Sequence, residues 1–62
     1  MEKNKTPVER VAEIRDWPEA VAMGYMDGAR DAQRQIPRQI PPRERTEYAY
    51  GYYKGYAERM DP

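Results

Sequence analysis

Apolar residues recur at helical spacing early in the chain, directly after a stretch that has the form of a helix start. Thr6-Pro7-Val8-Glu9 fits a capping box, in which the threonine hydroxyl accepts from a free backbone N–H and the glutamate reaches back to the threonine N–H. Proline at the first helical position loses no hydrogen bond, because that N–H has no partner inside a helix. The pattern predicts a short helix over residues 7–15. Its apolar stripe is formed by Val8, Val11, Ala12 and Ile14.

A second helical stripe follows Asp16-Trp17-Pro18-Glu19, which repeats the arrangement of cap, proline and acid. It predicts a helix over residues 17–35 with Asp16 as the N-cap. The apolar face of this helix consists of Val21, Tyr25, Gly28 and Ala32, flanked by Ala22, Ala29 and Ile36. Gly24 and Gly28 lie four positions apart on or beside that face. Because glycine costs about 1 kcal/mol relative to alanine inside a helix, two glycines here indicate that another backbone approaches closely.

Prolines interrupt the helical pattern over residues 36–42. Each proline fixes its own φ and biases the preceding residue toward extended backbone, so these residues predict a stiff connector. A third helix is expected over residues 43–60, starting near Arg43 or Arg45, with Thr46 as a capping residue. Its apolar side chains are Tyr48, Ala49, Tyr52, Tyr53, Tyr56 and Met60. Tyrosines surround this helix, and we therefore expect some of them to be exposed.

The second and third helices share the pattern Gly-Tyr-x-x-Gly, which occurs at Gly24–Gly28 and again at Gly51–Gly55. A single copy could arise by chance, because glycines four apart are common. Two copies with matching tyrosines favour a pair of helices whose glycine faces meet, each tyrosine lying over the partner's glycines. We therefore predict an all-α fold over residues 1–62, an antiparallel two-helix hairpin with a proline-rich connector and a short extra N-terminal helix. The residues assigned to packing are Gly24, Tyr25, Gly28, Gly51, Tyr52, Gly55 and Tyr56.

The composition limits the chemistry that this chain can perform. It contains no Cys and no His, which removes disulfides and the usual zinc ligands, and without Ser the Ser/His and Cys/His forms of nucleophilic catalysis are excluded. No apolar run approaches the roughly 20 residues that span a bilayer. We expect a soluble cytoplasmic protein that is not an enzyme and that uses no metal, cofactor or small-molecule substrate.

Positive charge is concentrated at mid-chain although the formal net charge is zero. Five arginines lie between residues 30 and 45, against only Asp31 and Glu44. They could form a ridge facing phosphates, and exposed tyrosines could stack on unpaired bases. The ordinary alternatives are a solvated helix face for the arginines and a core role for the tyrosines. The candidate RNA- or partner-binding residues are Arg30, Arg34, Arg38, Arg43, Arg45, Tyr50, Tyr53 and Lys54.

The order of these motifs resembles the ribosome modulation factors of bacteria over about residues 20–59. Members of that family begin with a helix that carries Gly-Tyr-x-x-Gly. A linker containing proline follows, and then a second helix with the pattern Arg-x-x-Trp-x-x-Gly-Trp-x-x-Gly/Ala. Here Gly24–Gly28 matches the first helix, Pro37 the linker and Arg45–Gly55 the second helix, with tyrosine in place of both tryptophans. The chain differs from the family in its neutral charge and its additional helix over residues 7–15.

The resemblance implies a non-enzymatic protein that binds the small ribosomal subunit and its ribosomal RNA and damps translation. Neutral charge and surplus aromatic residues favour a different possibility, a small protein-binding module. Such a module would act as a homodimer or as a phage-type inhibitor of a host complex, because interfaces are enriched in tyrosine and arginine.

Overall fold

A computed structural model describes residues 5–41 and 43–60, and these residues form three helices with no strand. The helices are α1 (Pro7–Arg15), α2 (Glu19–Gln33) and α3 (Glu47–Met60). This confirms the prediction of an all-α fold. Pro42, the last residue of the predicted connector, and the two ends of the predicted domain lie outside the described residues.

Helix α1 has the bounds expected from its capping box. The backbone N–H of Glu9 donates to the hydroxyl of Thr6 over 3.2 Å, and the N–H of Thr6 donates to the Glu9 carboxylate over 3.0 Å. No residue of α1 is buried. Local hydrogen bonds therefore define this helix, while its packing against α2 is comparatively light.

The junction between α1 and α2 differs from the prediction. Asp16 does not cap α2; it ends α1 in the left-handed conformation, at φ 59°. The N–H groups of Asp16 and Trp17 donate back to carbonyls of Glu13 and Ala12, which is the hydrogen-bonding of a Schellman motif. Proline at position 18 disfavours helical backbone at Trp17. Helix α2 consequently begins at Glu19, two residues later than predicted.

The end of α2 is built in the same way. Gln35 has a φ of 62°, in the left-handed region. The N–H of Gln35 donates to the carbonyl of Ala32 over 3.0 Å, and the N–H of Ile36 donates to the carbonyl of Asp31 over 2.8 Å. Glycine is the usual residue at this position, because a side chain in the left-handed region costs about 1–2 kcal/mol. Helix α2 therefore ends at Gln33, before the predicted limit at residue 35.

Helix α3 also starts later than predicted, at Glu47 and not near Arg43 or Arg45. The hydroxyl of Thr46 accepts from the N–H of Ala49 over 3.0 Å, so Thr46 is the capping residue. Just upstream, the N–H of Glu44 donates to the carbonyl of Pro41 over 3.0 Å. That turn redirects the chain into α3.

Helices α2 and α3 run in the same direction, and the predicted antiparallel hairpin is wrong. A Cβ built on Gly24 would meet the backbone of Tyr48 and Tyr52, and one built on Gly28 would meet Tyr52. In α3, Gly51 faces Val21 and Tyr25, and Gly55 faces Tyr25 and Ala29. In each helix, the glycine nearer the C-terminus contacts residues nearer the C-terminus of the opposite helix. Only parallel helices give this pattern.

The connector makes the parallel arrangement possible, because it returns along α3 before that helix begins. The hydroxyl of Tyr56 donates to the carbonyl of Ile36 over 2.6 Å, and the N–H of Gln39 donates to the hydroxyl of Tyr52 over 3.1 Å. Successive connector residues thus meet progressively earlier residues of α3. Residues 34–46 need to cover only about 20 Å, the length of α3, and an extended chain of that size reaches about twice as far.

The core lies between α2, α3 and the returning connector. Its buried apolar residues are Val21, Ala22, Ala32, Ala49, Tyr52 and Tyr56. Tyr52 is the largest side chain that is almost fully enclosed, at 2% exposure. Ile40 packs onto this core from the connector. Tyrosine therefore fills the volume that leucine and phenylalanine fill in most cores.

Candidate RNA- or protein-binding surface

Arginine and tyrosine side chains meet where the connector enters α3. An open pocket of about 420 Å³ is formed there by Glu44, Arg45, Thr46, Tyr50 and Tyr53. Arg43 and Arg45 are exposed just before the helix. Tyr50 is 61% exposed, which leaves much of its ring accessible. We name Arg43, Arg45 and Tyr50 the entry surface.

Tyr53 has a different environment from Tyr50, although both were expected to face a partner. Its ring is half-buried against the core, and its hydroxyl donates to the carbonyl of Ile40 over 2.7 Å. The guanidinium carbon of Arg38 lies 5.9 Å from the Tyr53 ring centroid and 5.2 Å from that of Tyr56. Arg38 and Tyr53 thus hold the connector against α3, and Tyr53 also lines the pocket beside Tyr50.

Arg30, in the last turn of α2, and Arg34, directly after that helix, lie at the opposite end of the molecule. Arg30 pairs with Asp27 over 3.2 Å, and Arg34 follows the last residue of α2. Because α2 and α3 are parallel, the end of α2 and the start of α3 are about 20 Å apart along the helices. The structure therefore separates Arg30 and Arg34 from Arg43 and Arg45, and the expected single ridge becomes two groups.

Lys54 lies on the half-exposed side of α3, one turn before Glu58. The ammonium nitrogen of Lys54 is 3.9 Å from a Glu58 carboxylate oxygen, an i,i+4 pair that contributes little to stability in water. It belongs to neither arginine group.

The tyrosines assigned to packing lie where α2 meets α3. Tyr52 and Tyr56 are buried, and Tyr25 is half-buried between α3 and the segment that precedes α2. The ring centroids of Tyr25 and Trp17 are 5.1 Å apart in an edge-to-face contact. All four glycines are buried, each against backbone of the opposite helix.

Three tyrosine hydroxyls donate to carboxylates of the neighbouring helix, a feature that sequence reasoning missed. Tyr48 donates to Asp27, Tyr52 to Asp31 and Tyr25 to Glu58, each over 2.6 Å. The overlooked signal is the repeat itself, because aligning its two copies places Tyr25 over Tyr52 and Asp31 over Glu58.

These carboxylates favour the protonated form of the tyrosines. Burial, together with the hydrogen bond to Asp27, raises the pKa of Tyr48 to about 12. Burial, followed by the hydrogen bond to Asp31, raises the pKa of Tyr52. The pKa of Tyr25 is also raised, and there the hydrogen bond to Glu58 contributes more than burial. The three hydroxyls therefore remain donors across the neutral range.

A second open pocket, of about 600 Å³, lies where α2 and α3 end. It is lined by Ala32, Gln33, Gln35, Pro37, Tyr56, Arg59 and Met60. Arg59 supplies the charged group in this lining. This pocket lacks the exposed aromatic ring and the neighbouring pair of arginines that define the entry surface.

Among residues 5–41 and 43–60, no group of three acidic, histidine or cysteine side chains is arranged to hold a metal ion. No helix in this part of the chain has the length and apolar character needed to cross a membrane. Comparisons with protein families, with characterised proteins and with solved structures find no match to this chain.

Proposed function

We propose that this chain is a non-enzymatic RNA-binding protein that binds ribosomal RNA of the small subunit and damps translation. The observation that carries the proposal is the entry surface, where Tyr50, 61% exposed, shares an open pocket with Arg45. The motif order shared with the ribosome modulation factors supplies the ribosome as the expected partner.

An exposed tyrosine beside arginines suits unpaired RNA. A base that stacks on an aromatic side chain contributes about 1–3 kcal/mol, and the interaction tolerates any base because each has a π face. Arginine guanidinium groups pair with the phosphates that flank such a base. Duplex RNA offers no free base face, so the entry surface favours single-stranded loops and ends.

Hydrogen bonds and packing support the backbone beneath the entry surface. Thr46 caps α3 and fixes the first turn, from which Tyr50 projects. Tyr53 and Arg38 hold the connector against the same helix. These contacts fix the backbone that carries Tyr50 before a ligand arrives, which lowers the entropy cost of binding.

Sedimentation with purified small subunits and whole ribosomes on a sucrose gradient tests this proposal. We expect the unaltered chain to travel with the small subunit, and Tyr50→Ala to weaken that association about tenfold through loss of one stacked base. Arg45→Ala should weaken it and also reduce its salt dependence.

Met23→Ala is the matched control, since Met23 occupies the position in α2 that Tyr50 occupies in α3 and is 45% exposed. It should sediment like the unaltered chain. A protein that stays at the top of the gradient at low salt would refute the proposal.

A protein-binding module is the second candidate, favoured by the exposed apolar side chains and the zero net charge. Ile14 is 82% exposed on α1, and Met60 is 56% exposed at the end of α3. The partner would be a second copy or a host complex inhibited in the manner of small phage proteins. A pull-down from nuclease-treated lysate distinguishes this candidate from RNA binding. Capture of one defined protein that is lost in Ile14→Ala but retained in Tyr50→Ala would favour the protein-binding module.

A further inference from the structure

The described chain divides into two halves, each a helix with the segment that precedes it. In the first half the segment before α2 folds against that helix, and the guanidinium carbon of Arg15 lies 5.0 Å from the ring centroids of both Trp17 and Tyr25. In the second half the connector packs along α3 through Ile36 and Gln39. Each half therefore has internal contacts of its own.

The contacts between the halves are nearly symmetric. In the alignment of the two Gly-Tyr-x-x-Gly copies, Gly24 corresponds to Gly51 and Val21 corresponds to Tyr48. Gly24 approaches the carbonyl of Tyr48, and Gly51 in turn approaches the carbonyl of Val21. A second matched pair consists of Gly28 with Tyr52 and Gly55 with Tyr25. The hydrogen bonds Tyr25–Glu58 and Tyr52–Asp31 are related in the same way.

A two-fold interface between separate chains requires equivalent faces on the two partners. Parallel helices meet this requirement when the axis runs along the pair. The α2–α3 contact therefore has the geometry of a small parallel dimer whose two members are joined by a linker. Nothing in the contact itself requires that both helices come from one chain.

The link between the halves turns sharply at a residue poorly suited to the turn. Gln35 is a non-glycine residue at φ 62°, held by two backbone hydrogen bonds to the last turn of α2. Extended backbone at Gln35 would move α2 away from α3. It would leave the contacts of Tyr56 with Ile36 and of Tyr52 with Gln39 inside the second half.

We propose that two copies of this chain exchange halves, so that α2 of each copy pairs with α3 of the other and Gln35 is the hinge. Every α2–α3 contact forms again between chains. The exchanged dimer differs from the monomer mainly at the hinge and in its dependence on concentration. This inference gives a specific geometry to the homodimer alternative and does not depend on RNA binding.

Complementation between two damaged chains tests the exchange directly. Gly28→Leu damages the glycine face of α2, and Gly55→Leu damages that of α3, so neither chain alone can form an intact α2–α3 pair. After the two are refolded together, one pair of unaltered helices forms between the chains. We expect the mixture to regain helical circular dichroism and to contain a species of twice the 7.4 kDa chain mass.

Each variant refolded alone is the control and should show neither signal. A mixture whose circular dichroism equals the mean of the two separate samples, with no species of double mass, would overturn the proposal.

Hinge variants provide a second measurement that does not require a damaged interface. Proline cannot adopt the φ of Gln35, whereas glycine adopts it without strain. On refolding at high concentration, the ratio of dimer to monomer should rise roughly tenfold in Gln35→Pro and fall below that of the unaltered chain in Gln35→Gly. Gln33→Ala, exposed and outside the hinge, should leave the ratio unchanged. Equal ratios in all four chains would refute the hinge.

Discussion

Tyr48 shows how a single side chain in this protein depends on the neighbouring helix. Its hydroxyl lies 2.6 Å from a carboxylate oxygen of Asp27, and its ring is half-buried. Both burial and the carboxylate oppose ionisation of the hydroxyl, and they raise the pKa of Tyr48 to about 12. An ordinary tyrosine titrates near pH 10. The folded state therefore retains this proton at pH values where the unfolded chain has lost it.

Alkaline pH should consequently destabilise the fold. Because the folded pKa is the higher one, the stabilisation is complete below about pH 10 and is lost as the pH rises through about 12. Urea unfolding across this range measures the loss, and Tyr48→Phe should reduce the slope because it removes the titrating group. Gln33→Ala, which removes no titrating group and lies at an exposed position, should leave the slope as it is. An identical alkaline loss in the unaltered chain and Tyr48→Phe would contradict the assignment.

At the scale of the elements, the contact between α2 and α3 depends on having no Cβ atoms at four positions. A Cβ on Gly28, Gly51 or Gly55 would lie 2.8 Å from a carbonyl carbon of the opposite helix and closer still to its oxygen. The Cα hydrogens instead point toward those oxygens, forming weak Cα–H···O contacts of about 0.5–1 kcal/mol each. Glycine lowers the helix propensity here, but it allows the backbones to approach closely.

Gly28→Ala should therefore destabilise the protein despite alanine's higher helix propensity. The added methyl group forces the helices apart at a cost of about 3 kcal/mol, of which about 1 kcal/mol is recovered through propensity. Chemical denaturation should show a net loss of about 2 kcal/mol in the free energy of unfolding. Ala20→Leu adds more volume at an exposed position of the same helix and should change stability by less than about 0.5 kcal/mol. Equal stability of the Gly28→Ala and unaltered chains would mean that the helices are not in close contact.

The whole molecule is organised by the direction in which its two main helices run. A connector that turned tightly would have produced an antiparallel pair, with the arginines gathered near one end. The connector instead retraces α3, so α2 and α3 start at one end and stop at the other. This separates Arg30 and Arg34 from the entry surface and leaves Tyr50 beside Arg45.

Proton contacts in solution distinguish the two directions. The Cα protons of Gly24 should show nuclear Overhauser effects to Tyr48 and Tyr52, and those of Gly55 should show them to Tyr25 and Ala29. Gly28 is less informative, because its partner near residue 52 is similar in both arrangements. Cross-peaks between Gly24 and Gly55 would instead indicate antiparallel helices.

Local signals in the sequence determined the three helices and the N-caps of α1 and α3. The capping box at Thr6, the hydroxyl of Thr46 and the period of the apolar residues act within one or two turns of backbone, so they can be read without knowledge of the fold. The repeated Gly-Tyr-x-x-Gly likewise indicated that two glycine faces meet. The starts of α2 and α3 were predicted too early. Proline at position 18 disfavours helical backbone at Trp17, and the cap at Thr46 leaves Arg43 and Arg45 outside α3.

Only the tertiary structure decided the direction of the helix pair, and with it the layout of the candidate surface. A glycine face is smooth and accepts a partner helix in either direction. The glycine pattern in the sequence therefore does not show whether the two helices run parallel or antiparallel. Direction follows from distant contacts, namely the tyrosine–carboxylate hydrogen bonds and the packing of Ile36, Gln39 and Ile40 along α3. The same contacts half-bury Tyr53 and leave Tyr50 exposed, because a side chain's exposure depends on what the rest of the chain places over it.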